Sequence, residues 1–421
     1  MILWLDPIDF TRSFLKQTNY NQDFILLYSG LNKQNPNSKS YLALYPKNTI
    51  KSDNFNLKLN QNDHYFGYFT YDLKNSIENL PKDQEFTIKT PKLTLTSFNL
   101  LLIFDHDSKK IQIIAENDQY ITKIPKKLTK TNEIDLKNLK ISDFSSQMSQ
   151  NQYQQNFNKI KNHLENGDFY QANLTNKFYG KIKCDNKFDL FAKLTQISPA
   201  NYSAYLKIND LHVISSSPEL FLQSNSDKTI RTSPIKGTAP RFKDKNQDQQ
   251  SINYLKNSTK EKSENLMIVD LARNDLSRCC KPNTVKVDDL FKITSYQTIH
   301  HLSSNISGKL SDNISIIDAI KANFPPASMT GAPKIKVMKT LSQIEKYQRG
   351  IYSGAIGFIK DDICNLSVVI RTLLIQNDNF EFQVGGAITY DSNCQNEWQE
   401  ILDKSKAILQ LLNIESSKLT Y

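Results

Sequence analysis

The chain has 421 residues, 38% of them hydrophobic and 23% charged, and carries a formal charge of +10. That balance fits a globular protein of two or three domains, or one large two-part α/β body, and excludes collagen-like, linker-like and membrane-spanning classes. Glycine is scarce, at 12 residues, so the glycines that remain are expected where no other residue fits.

The N-terminus, MILWLDPIDF, lacks a basic stretch followed by an apolar one, and no apolar run approaches the ~18 residues of a membrane span. Up to about residue 122 the chain reads as short strands: Phe24 to Gly30, His64 to Leu73, and Leu93 to Asp107, with Ile111 to Glu116 closing a hairpin. Lys123 to Gln150 is polar and irregular and is assigned as a linker, with residues 151–421 as a second region. That region opens on a helix, because Tyr153, Phe157, Ile160 and Leu164 are spaced to line one face, and Gly167 ends it. Strands follow at Tyr170 to Phe178, Ser203 to Ile208 and His212 to Ser216, with a helix near Phe188 to Gln196. A final helix runs from about Asn396 to Leu412. Short connections favour antiparallel pairing, so the expected class is α+β: a large two-part β-sheet sandwich surrounded by helices.

The basic residues are scattered. Their densest run, Lys123 to Lys130, reads as solvated linker, and no nucleic-acid-binding signature accompanies the charge. The five cysteines include adjacent Cys279 and Cys280 but no C-x-x-C pair, so neither a disulfide framework nor a cysteine metal site is expected, and the reducing cytoplasm is the default compartment.

Three groups of residues carry candidate chemistry. Glu261 and Glu264 are three apart in a helical segment, and Glu397 and Glu400 repeat that spacing. Each helix could present two carboxylates to one point, and four together would suit Mg²⁺. By spacing alone, such pairs equally describe solvated helix faces, with Lys404 as an ordinary i+4 partner of Glu400. The second group, Arg231 to Arg241, is expected to form a tight loop around Lys236, which is either a nucleophile or part of a basic surface turn. Glu219, just after a strand, is a candidate general acid or a solvated turn residue. The third group holds many of the glycines. Pro333 is placed near the first position of a helix, and Gly385 and Gly386 at a strand start, where backbone could approach a ligand or bend.

Each signal is weak alone, but their order is specific. GDFYQANLTNKF (167–178), SSSPELF (215–221), PIKGTAPR (234–241), ENLMIVDLARNDL (264–276), TGAPKIKVM, YSGAIGF, IRT and GGAITYDS…EWQE together resemble the chorismate-utilising enzymes, over roughly residues 150–415. ILLYSG and GYFTYDLKN resemble that superfamily's more variable N-terminal region, assigned to residues 1–122. Members that add water carry a lysine base where this chain has Gln171. Members that make anthranilate usually read P-I-A-G-T where this chain has Lys236 between Ile235 and Gly237. Lysine there marks the branch forming 4-amino-4-deoxychorismate, the precursor of p-aminobenzoate and folate. Anthranilate formation is the alternative within the fold, and a basic nucleic-acid-binding protein the alternative outside it.

The resemblance implies that Lys236 attacks ring C2 of chorismate as the C4 hydroxyl leaves, protonated by Glu219. Ammonia would then enter at C4 and expel the lysine. Glu264, Glu397 and Glu400, supported by Glu261, would hold Mg²⁺ on the ring carboxylate. Arg371, Tyr352 and Lys404 would bind substrate carboxylates. Gly237, Thr238, the backbone of Gly385 and Gly386, and His301 would complete the cradle. Ala387 replaces a third glycine common among relatives. Leu26-Leu27-Tyr28-Ser29 departs from the Leu-Leu-Glu-Ser tryptophan motif, so feedback by tryptophan is not expected. No glutaminase motif is present, which implies a separate glutamine amidotransferase subunit as the source of ammonia.

Overall fold

Long, nearly continuous buried runs such as Gln171–Gly180 and Phe380–Ile388 can be satisfied only inside a sheet covered on both faces. The computed structural model describes residues 3–30, 38–81, 88–130, 134, 136–296 and 299–415. In chain order its elements are α1 (Pro7–Thr18), β1 (Phe24–Tyr28), β2 (Lys39–Ser52), β3 (Tyr65–Phe69), a 3₁₀ turn (Tyr71–Ser76), β4 (Leu93–Asp105), β5 (Lys110–Ala115), α2 (Asp118–Thr122), β6 (Lys140–Ser146) and α3 (Gln150–Glu165). Then come β7 (Gln171–Lys183), α4 (Lys187–Ile197), β8 (Tyr202–Ile208), β9 (Leu211–Ser217), β10 (Leu220–Ser224), β11 (Thr229–Ser233), β12 (Ile235–Pro240), α5 (Lys245–Asn257), α6 (Thr259–Ser277), β13 (Lys286–Ser295) and β14 (Ile299–Lys309). The chain closes with α7 (Ile316–Asn323), a 3₁₀ turn (Ala327–Met329), β15 (Gly331–Ala332), α8 (Lys334–Glu345), β16 (Ala355–Lys360), β17 (Ile363–Val368), β18 (Thr372–Gln376), β19 (Asn379–Thr389) and α9 (Cys394–Leu411).

The strand pairs are antiparallel and form two wings. From β2 one wing runs through β1, β8, β9, β18, β19 and β7 to β6. From β4 the other runs through β3, β16, β17, β10, β11 and β14, with β12 and β13 also on β14. The β2–β4 pairing joins them. One hydrophobic core lies under each wing, and a third cluster, including Ile25, Ala43, Phe66, Leu206, Ile356 and Leu374, spans the joint.

Helix α3 buries Tyr153, Phe157, Ile160 and Leu164, as their spacing requires, and a Ser149–Gln152 capping box starts it. It ends where Gly167 N–H donates to Leu164 O and Asp168 N–H to His163 O. Three local expectations are corrected. The stretch read as irregular linker contains β6, whose alternating half-exposed residues pair with β7 in sequence too polar to signal a strand; residues 131–133 and 135 of that stretch lie outside the described residues. Gly385 and Gly386 lie in the second half of β19, because Asn379–Val384 already pair with β7. Lys236 lies in a short strand rather than a tight loop. A bulge between Ile235 and Thr238 accommodates Gly237, at φ +85, where a side chain would also press on Glu261. Pro333 is the N-cap of α8, one residue before its first turn.

Arg349 ties β7 to the 3₁₀ turn that follows β3. Its side chain, in a residue 1% exposed, donates to both oxygens of Glu345 (2.9 and 2.7 Å), to Asn173 O (2.7 Å) and to Met329 O (2.8 Å), and lies 4.5 Å from the centre of the Tyr71 ring. Glu345 also accepts from the backbone N–H and hydroxyl of Thr175. Removing one partner strands a buried charge, so Arg349→Met is expected to destabilise the protein by about 3–5 kcal/mol in urea unfolding. Arg349→Lys should recover only part of that, because an ammonium cannot reproduce the fork.

Candidate active site

The site lies where the wings face each other. α6 and α9 carry carboxylates, β12 carries Lys236, and the connection from β9 to β10 carries Glu219. Ser258 caps α6 by accepting from Glu261 N–H, which starts the helix so that Glu264 is buried. Asn393 caps α9 in the same way and Glu397 is buried one turn in.

Lys236 Nζ lies 4.0 Å from Glu264 Oε2, with both side chains about nine-tenths buried. Lys260 Nζ stands 3.9 Å from Glu264 Oε1 and 3.9 Å from Glu397 Oε1. Ser392 donates to Glu397 Oε1 at 2.7 Å. Lys404 donates to Gly385 O at 2.7 Å and pairs with Glu400 at 2.6 Å. A side chain on Gly386 would come within 2.9 Å of Glu397 Oε2, so glycine lets this carboxylate lie against the strand.

Burial sets the protonation of the site. It pushes the Glu219 carboxyl up to about 7, with nearby Lys236 pulling the other way. Glu397 also rises to about 7, through burial first and then the Glu400 charge. Lys404 holds Glu400 below the usual carboxylate range. His301 is pushed down to about 3 by burial, with the Arg371 guanidinium adding to it, and both its ring nitrogens are buried without a hydrogen-bond partner. A neutral imidazole with two unused positions and two carboxyls poised near neutrality are features for handling a ligand's protons rather than for stability.

Residues 17–410 match the family of chorismate binding enzymes. The chain belongs to that family. Aminodeoxychorismate synthase component 1 of Escherichia coli (strain K12) is 34% identical over 82% of this chain and 76% of its own length. Anthranilate synthase component 1 of Lactococcus lactis subsp. lactis (strain IL1403) is 30% identical over 86% of this chain and 82% of its own. The crystal structure of anthranilate synthase component I from Streptococcus pneumoniae TIGR4 superposes with a TM-score of 0.78, at 26% identity, covering 89% of this chain and 93% of that one. The fold is therefore that of the chorismate-utilising enzymes, as the motifs imply. Among the described residues no helix is long and apolar enough to cross a membrane.

In this chorismate binding enzyme the expected site residues fall into three patches. Lys236, Glu261, Glu264, Glu397, Glu400, Lys404, Gly385 and Gly386 form the first, linked by the contacts above and by the Gly237–Glu261 approach. Thr238 pairs opposite His301 across β12 and β14, with Arg371 acting on His301, and makes the second. Tyr352 belongs to a third, buried beside Arg349 and one residue from Ser353, which Arg349 approaches at 3.4 Å. Glu219 is 5% exposed and is not the solvated turn residue its position allowed. Lys404 is the i+4 partner of Glu400 that the spacing suggested, and it also donates to the backbone of Gly385.

Sequence reading missed Lys260 and Ser392. Lys260 was visible four residues before Glu264, and Ser392 ends the quoted GGAITYDS segment. As they stand, no three carboxylate, imidazole or thiol groups among the described residues enclose a common point; an ammonium fills the space between Glu264 and Glu397. Yet Glu264 Oε1 and Glu397 Oε2 are buried with no hydrogen-bond partner, and oxygen donors of this kind fit a hard divalent cation.

Glu219 and Glu397 both bind their proton more tightly folded than at the ordinary 4.5. Their contribution to stability is full below about 4.5 and is lost as pH rises through about 7. Chelator-treated protein should melt a few °C higher at about pH 5.5 than at about pH 8, and Glu397→Gln should flatten that slope in calorimetry.

Proposed function

We propose that this enzyme aminates chorismate to 4-amino-4-deoxychorismate, as component I of aminodeoxychorismate synthase, using ammonia from a separate glutamine amidotransferase subunit. The observation that carries this reading is Lys236, a primary amine that the bulge of β12 holds against the carboxylate cluster and whose charge acts on Glu219. The similarity to component 1 of that synthase from Escherichia coli supports it.

Lys236, once unprotonated, attacks C2 as the C4–O bond breaks, and Glu219 delivers its proton to the departing hydroxyl, which leaves as water. Ammonia then bonds to C4, the C2–N bond breaks, and its electron pair returns to Lys236. Two transposed displacements place nitrogen at the carbon that lost oxygen. Arg371, Tyr352, Lys404, Thr238 and the Gly385–Gly386 backbone hold the substrate, and neutral His301 offers it a donor and an acceptor. Glu264, Glu397 and Glu400, with Glu261 behind them, would hold Mg²⁺, which supplies positive charge against the ring carboxylate of chorismate.

The test is product identification from chorismate, Mg²⁺ and ammonium by chromatography. The 4-amino product is expected. Fluorescent 2-amino product from the wild type would overturn the reading in favour of anthranilate formation, the activity named for several relatives.

A further inference from the structure

On the proposed reading, neutral ammonia attacks and the product leaves as an ammonium, so each turnover takes one proton from solvent. Glu219 is the group it discharges. The carboxyl is 5% exposed, the Lys236 charge acts on it, and on the proposed reading substrate occupies that side. A route to water lies on the other side. Glu219 lines a small cavity of about 20 Å³, enough for one water, together with Thr232, Asp275, Asn323 and Ser328. The Ser328 hydroxyl faces Glu219 across this cavity and acts on its carboxyl, and the cavity's polar lining gives a water the several contacts it needs. A second cavity of about 270 Å³ is lined by Leu271, Asn274, Asp275, Arg278, Lys334 and Met338. It reaches the surface, since Asn274 and Arg278 are exposed. Asp275 lines both cavities and is itself 5% exposed.

We infer that Glu219 is reloaded from behind, the proton passing from solvent in the outer cavity to Asp275, and from Asp275 through a water in the inner cavity to Glu219. Asp275 suits the middle position. Lys334 Nζ fixes one of its oxygens at 2.6 Å and is itself held by Pro325 O at 2.9 Å, which orients the carboxylate at the wall between the cavities. Burial raises Asp275 while Lys334 and Arg278 lower it; Lys236 and Lys404 act on Glu219 in the lowering sense. The step balances: a proton enters Asp275 from bulk water as another leaves it for the Glu219 carboxylate, and no oxidant or co-substrate is involved. Asp275 touches no substrate and is a positioning and relay residue rather than a catalytic one.

The experiment compares single-turnover and steady-state amination in wild type, Asp275→Asn and Leu271→Trp. The tryptophan narrows the outer cavity and leaves the Asp275–Lys334 pair in place, so it carries the test if the asparagine variant does not fold. A Glu219 proton already loaded should support a first turnover at the wild-type rate, while steady-state kcat falls about tenfold or more and is restored by rising imidazolium concentration at fixed pH. Unchanged steady-state rates in folded variants would overturn the path. So would single-turnover and steady-state rates that fall together without a buffer response. Failure of the parent reading is distinguishable, since it shows in the wild type as 2-amino product or none; either amination discharges Glu219 once, so the comparison among variants still decides the path.

Discussion

Lys236→Ala is expected to lower 4-amino-4-deoxychorismate formation by about a thousandfold or more, the scale reached when a covalent nucleophile is removed. Chorismate binding should change little, because the carboxylate-binding groups are elsewhere in the cradle. The pair Lys236–Glu264 makes the two effects separable: removing the ammonium leaves Glu264 buried beside Lys260, which already stands 3.9 Å away, so the site keeps a counter-charge. Mass spectrometry of wild type quenched during turnover should find chorismate-derived mass on the peptide containing Lys236, and none in the variant. A variant that makes the 4-amino product at the wild-type rate would sink the covalent route.

Glu219→Gln is the second large effect. The amide keeps the shape and cannot deliver a proton, so kcat should fall by roughly 10²–10⁴-fold, the ordinary contribution of a positioned general acid. The pH profile gives an independent readout. A general acid is active in its protonated form, and burial has brought this one to about 7, so the wild-type rate should decline as pH rises through that value. The variant's residual rate should lose that descending limb. A wild-type limb that persists unchanged in Glu219→Gln assigns it to another group.

Much of this was legible in order rather than in pattern. Helix α3 and the final helix announce themselves through apolar spacing, and strands such as β1 and β4 through runs of large side chains. β6 did not, because none of its residues is buried and its hydrogen bonds come from a partner distant in sequence. Of the site, Glu264 and Glu397 were indistinguishable from solvated helix residues until the packing of α6 and α9 buried them. Burial is also what makes Glu219 an acid near neutrality, and no local sequence feature encodes it. The glycines named here stand where a side chain would be crowded, but not all of them for the sake of the site. Gly237 and Gly386 do lie against its carboxylates, but at Gly354 and Gly357 a side chain would strike the carbonyls of Phe69 and Asn365, so those two serve the sheet.

The β2–β4 joint has a consequence for how the protein can be cut or built. Among the described strands, no backbone ladder joins the wings except through β1–β4, with β1 against β8 on one side and β3 against β16 on the other. A chain shortened to its chorismate motifs would present β8 and β16 as two raw, apolar edges, each a template for pairing with another molecule. The N-terminal third is thus a keystone rather than an appendage. Grafting it from a relative would succeed only where both seams match.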